Sequence, residues 1–166
     1  MWWKQYSASV RTGETHEVEL LVRSFSPSTG GHNRRSGLVE RLNRATAAGF
    51  LDDYETTVIG DRFCLRESCH ETSTGRQLTS KLVEVRNWRA GAAEPVGFDE
   101  KEVHSSITGE RYRVLTPPAL CVTVTIDDRI KGVFPCSIDG EQYGVEDFFD
   151  VLETAGSRFQ SSRVNA

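Results

Sequence analysis

Glu17-Val18-Glu19-Leu20-Leu21-Val22-Arg23-Ser24-Phe25 is the stretch on which the fold turns. Val18, Leu20 and Val22 share one side under two-residue alternation, the pattern of a β-strand with one face toward a core. Ser26-Pro27-Ser28-Thr29-Gly30-Gly31 then breaks the pattern with residues that favour turns. From Arg34 to Ala48 the period becomes helical. Leu38, Leu42 and Ala45 line up as one stripe, and Gly49 stands where a helix commonly ends in a left-handed residue. A strand running into an amphipathic helix sets the architecture as mixed α and β.

Working outward, Tyr54 to Ile59 is rich in β-branched residues and reads as a second strand. Gly60-Asp61 fits a two-residue hairpin turn, with Arg62-Phe63-Cys64-Leu65 as the returning strand. Thr74-Gly75-Arg76-Gln77 has capping-box spacing and opens a second helix, with Leu78, Leu82 and Val85 on one face and Gly91 beyond its end. Glu102-Val103-His104-Ser105 supplies one more strand. The order β-α-β-β-α-β predicts an α+β protein with a ferredoxin-like (split βαβ) unit. Beyond it, Arg111 to Thr116, Ala119 to Ile126 and Arg129 to Pro135 read as an antiparallel meander. Pro117-Pro118, Asp127-Asp128 and Asp139-Gly140 mark its breaks and turns. Val145, Phe148, Phe149 and Leu152 form a short helix ending near Gly156. The expected organisation is a lead-in over 1–16, the ferredoxin-like unit over 17–99, the meander and helix packed on it over 100–156, and a tail over 157–166.

Bulk composition narrows the function classes. The chain has 166 residues, 20 Lys+Arg against 24 Asp+Glu, and a net charge of −4. No apolar run approaches the roughly 20 residues of a membrane span, and the start lacks the pattern of a signal peptide. The expectation is a cytoplasmic protein with no membrane contact, whose Cys64, Cys69, Cys121 and Cys136 stay as thiols. Residues 1–99 are net neutral and residues 100–166 carry the whole −4, which argues against nucleic acid wrapping the entire molecule.

Short stretches along most of the chain resemble a known family. They are Leu21-Val22-Arg23-Ser24 with Ser26-Pro27, Leu38-Val39-Glu40-Arg41-Leu42, Gly60-Asp61, the run Glu102 to Glu110, Phe134-Pro135-Cys136 and Val145-Glu146-Asp147. Together they are similar to a family of small haloarchaeal proteins labelled as helix-turn-helix domain proteins. That resemblance implies a DNA-binding regulator, and it carries no site residue over by position. The periodicity itself places about 25 residues between the two long helices, where a helix-turn-helix has a turn of 3–4.

The strongest candidate chemistry is cationic. Arg34, Arg35, Arg41 and Arg44 against Glu40 leave the first helix at +3, and Arg76, Lys81, Arg86 and Arg89 against Glu84 do the same for the second. In a split βαβ unit both helices lie on one face of the sheet, so the two fields would add and bind phosphates. Arg34, Arg35, Arg41, Arg44, Arg76, Lys81 and Arg86 are the expected DNA contacts, to backbone and not to base edges. The plainer reading is that these cations flank apolar stripes and cover core edges with their stems. Cys64, Cys69 and His70, with Cys121 and Cys136 scattered, make a poor tetrahedral set, so no metal or other cofactor is expected. His104 beside Ser105 is the one local pairing of base and nucleophile. Neighbours on a strand face opposite ways, and no nucleotide-binding, zinc-protease or serine-hydrolase motif is present, which argues against an enzyme. Trp2-Trp3 and Phe148-Phe149 suggest an interaction surface. The alternative function is therefore a homodimer or larger homo-oligomer, acting as a protein-interaction or small-ligand sensing module without nucleic-acid binding.

Overall fold

The computed structural model describes residues 16–23, 29–66 and 72–164, with side chains over 16–23, 36–66 and 72–154. Among the described residues ten strands run in chain order as β1 (His16–Arg23), β2 (Asp53–Ile59), β3 (Phe63–Cys64), β4 (Ala93–Pro95), β5 (Asp99–His104), β6 (Arg111–Thr116), β7 (Leu120–Ile126), β8 (Arg129–Phe134), β9 (Cys136–Ile138) and β10 (Glu141–Tyr143). Three helices among the described residues join them: α1 (Thr29–Ala47) after β1, α2 (Ser73–Asn87) after β3, and α3 (Val145–Val164) after β10. The class is α+β, as the sequence predicts. Trp2-Trp3 lies outside the described residues.

The main sheet has the order β2-β1-β7-β8, and two three-stranded sheets are ordered β10-β9-β4 and β3-β6-β5. β1 pairs with β2 in parallel along the whole of β2, with Leu20 beside Thr56, and α1 makes the crossover between them. On its other side β1 runs antiparallel to β7, with Leu20 opposite Val122. This arrangement corrects the ferredoxin-like expectation. In a split βαβ unit another strand separates the two parallel partners, whereas β1 and β2 are direct neighbours. The strand expected to complete that unit, β5, belongs to a different sheet. Gly60-Asp61 is not a hairpin turn either. β2 bonds to β1 and β3 to β6, so the chain passes there from one sheet to another.

Local chemistry places the other ends well. α1 closes with Gly49 at φ +80, while the Gly49 amide donates to the Thr46 carbonyl at 3.1 Å and that of Phe50 to Ala45 at 2.9 Å. These two bonds make the Schellman closure that the sequence pattern foretells. α2 begins earlier than its capping-box spacing suggests: Thr72, not Thr74, is the N-cap, its hydroxyl accepting from the Gly75 amide at 3.1 Å. Asp127 and Asp128 both take positive φ in the β7–β8 turn, as do Asp139 and Gly140 between β9 and β10. α3 continues to Val164, well past Gly156.

Two cores occupy the two faces of the main sheet. Val18, Leu20 and Val22 of β1 and Val122, Val124 and Ile126 of β7 meet Leu38, Leu42 and Ala45 of α1 and Val145, Phe148, Phe149 and Leu152 of α3. The alternate residues Leu21, Cys121 and Val133 meet Leu82 and Val85 of α2, together with Phe63 and Leu115. Because side chains alternate across a strand, α1 and α3 cover one face and α2 the other.

Candidate nucleic-acid interface

α1 turns its apolar stripe onto the sheet, which leaves Arg41 at the margin of the stripe and Arg44 on the outer side. Arg41 is directed inward along α3. Its Nε donates to Glu153 Oε1 and its Nη2 to Asp150 Oδ1, each at 2.8 Å, and its guanidinium carbon stands 5.1 Å from the Phe149 ring centre. The hydrogen bond to Glu153, with that to Asp150, holds the Arg41 pKa above the ordinary value. Arg41 therefore ties α1 to α3. Arg44 is exposed and has no ion pair among the described residues. Arg34 and Arg35 lie on the α1 backbone, and their side chains lie outside the described residues.

The second cationic helix is engaged in the same way. Lys81 pairs with Glu19 of β1, and Arg86 Nη1 lies 2.7 Å from Glu100 Oε2 on β5. Glu100 Oε1 also forms an ion pair with Arg113 Nε at 2.9 Å. Arg76 is exposed and makes no ion pair among the described residues. The expected pooling of two positive fields does not occur. With a sheet between them, the helices stand roughly 20 Å apart by ordinary layer spacing, about two Debye lengths at physiological salt.

What the sequence reading missed lies beside α2. That helix leaves one end of its sheet face open, forming a cleft of about 570 Å³ between Arg76, Ser80 and Glu84 and a floor of Glu19, Thr123 and Thr125. It shares Glu19 and Thr125 with a smaller hollow of about 270 Å³ lined also by Glu17, Asp53 and Glu55. The parallel register sets Glu17 beside Asp53 and Glu19 beside Glu55, so four carboxylates share this floor and Lys81 balances Glu19. The signal was present as two acidic alternations, Glu17-Val18-Glu19 and Asp53-Tyr54-Glu55, but only the strand pairing makes them neighbours. Such a floor attracts cations and repels phosphate.

The cysteines follow the sheet faces. Cys121 is buried under α2 and Cys136 in the α1–α3 core, so these two thiols cannot share an ion. Burial pushes the Cys121 thiol up to about 12 and the Cys136 thiol up to about 11. Cys64 is half-buried at the end of β3 and disulfide-bonded, which corrects the expectation of a free thiol there. Cys69 and His70 lie outside the described residues, and no group of metal-ligating side chains occurs among the described ones. No described helix is long and apolar enough to cross a membrane.

A family described as a helix-turn-helix domain matches residues 10–157 of the chain. No curated protein and no solved structure matches it. Among the described residues α1, α2 and α3 are each separated by strands, and no two helices are joined by a turn of 3–4 residues.

Proposed function

Because the chain belongs to the family of helix-turn-helix domain proteins, we propose that it is a DNA-binding regulatory protein that acts without catalysis. The family match over residues 10–157 is the observation that carries this reading. α1 is the leading contact. Arg44 is directed to solvent on it, and Arg34 and Arg35 sit on its first turns. Arg76, Lys81 and Arg86 on α2 stand beside or opposite carboxylates, which lower the local potential for phosphate. The contacts go to the backbone, so affinity falls with salt and depends little on sequence.

Fluorescence anisotropy with duplex DNA over a salt series tests this. Arg44→Glu, and separately Arg34→Glu with Arg35→Glu, weaken binding and lower the salt slope by about one for each phosphate no longer neutralised. Arg76→Glu leaves the slope near wild type. Absence of any DNA shift at low salt overturns the proposal. A second reading, a homo-oligomeric interaction module without nucleic-acid binding, is favoured by the pairing of Arg41, Lys81 and Arg86 with carboxylates. It expects that same absence of a shift.

A further inference from the structure

The two ends of the main sheet are built differently. β8, at one end, carries Arg129 and Lys131, and its ladder with β7 slips register between Val124 and Thr125. Charged side chains and bulges are the ordinary means by which a protein discourages a sheet edge from pairing with another chain. β2, at the other end, has no bulge, and its charges are confined to Asp53 and Glu55 in its first half. Asp53-Tyr54-Glu55-Thr56-Thr57-Val58-Ile59 contains no Lys and no Pro, and it runs in unbroken register with β1. No strand pairs its outer side among the described residues. Val58 is 52% exposed on that edge, one of two large hydrophobic residues that stand out in this way among the described residues.

We propose that β2 is the contact through which two copies of this chain join, edge to edge and antiparallel, about a two-fold axis at Thr56. The sequence of β2 is complementary to itself in that register. Tyr54 falls opposite Val58 of the second copy, Glu55 opposite Thr57, and Asp53 opposite Ile59. An aromatic residue thus meets a β-branched one, and no carboxylate lies opposite a carboxylate. An axis perpendicular to the sheet keeps equivalent faces together, so the four-stranded sheets merge into one continuous sheet with both α1 helices on the same side. One opposing force remains. The two Glu55 side chains become diagonal neighbours over a floor that already holds Glu17, Glu19 and Asp53, so association tightens as salt rises. This inference is independent of DNA binding, and it is tested on the protein alone.

Light scattering across a wide range of protein concentration and salt provides the test. The expected molar mass climbs from 18.6 kDa toward twice that value, at lower protein concentration when salt is high. Val58→Lys, an exposed position whose change spares the core, holds the protein at monomer mass with its circular dichroism unaltered. Glu55→Gln tightens the dimer at low salt. Thr56→Cys places two thiols across the axis with Cα atoms about 5 Å apart, within the span of a disulfide formed under mild oxidant. Monomer mass at every concentration overturns the proposal. So does a dimer that Val58→Lys leaves intact, or one in which Thr56→Cys fails to cross-link.

Discussion

The two faces of the main sheet differ in what covers them. On one, β1 and β7 meet two helices at once, and Phe148 fills the space between Phe134 at 5.2 Å and Phe149 at 5.3 Å, measured between ring centres. On the other, α2 together with Phe63 and Leu115 of the β3-β6-β5 sheet covers Leu21, Cys121 and Val133 and leaves the carboxylate end open. The comparison separates two tasks within one sheet. The doubly covered face supplies most of the apolar burial, while the half-covered face keeps polar groups accessible at little cost to the core.

The largest expected effect lies on the first face. Phe148→Ala removes a fully buried ring and costs about 3–5 kcal/mol in chemical denaturation. Leu82→Ala on α2 costs about 2–3 kcal/mol, because the buried side chain removed is smaller than the Phe148 ring. Equal losses would end the distinction.

The alkaline limb of stability sharpens it next. Both buried thiols hold their proton more tightly when folded than the ordinary 9.0, so their contribution is complete below that value and declines as the unfolded chain ionises. The decline extends to about 12 for Cys121 and about 11 for Cys136. Cys121→Ala should flatten the fall in denaturation midpoint above pH 9.0 more than Cys136→Ala does.

Smaller effects follow on the α2 side. Thr72→Ala removes the N-cap and costs about 1 kcal/mol in thermal unfolding, while Thr74→Ala changes the midpoint little. Glu55→Gln relieves its cross-strand repulsion with Glu19 and raises stability by roughly a few tenths of a kcal/mol, most clearly at low salt.

The parts of this fold that were legible in the sequence are those fixed by near neighbours. Gly49, Asp127-Asp128 and Asp139-Gly140 announce their turns because the required φ is a property of the residue itself. The stripes Leu38-Leu42-Ala45 and Leu82-Val85 likewise announce buried helix faces. Alternation says which side of β1 is apolar, but it cannot say that β7 lies alongside, and this is where the ferredoxin-like expectation failed. Thr72 was displaced by Thr74 because only Thr74 has Gln77 at capping-box distance. The cationic residues were legible as residues and illegible as a surface. Glu153 lies 112 positions from Arg41, and Glu19 lies 62 from Lys81, so neutralisation depends on contacts that no local window contains.

The position of β1 also bears on how the protein is made. Its apolar side chains emerge early during synthesis, yet β7, the partner on one flank, follows roughly 100 residues later. A nascent chain halted before Ile126 holds α1 and β2 but exposes the inner edge of β1 to any other strand nearby. The molecule therefore closes late and from the middle, and its most vulnerable moment comes while the ribosome is still at work.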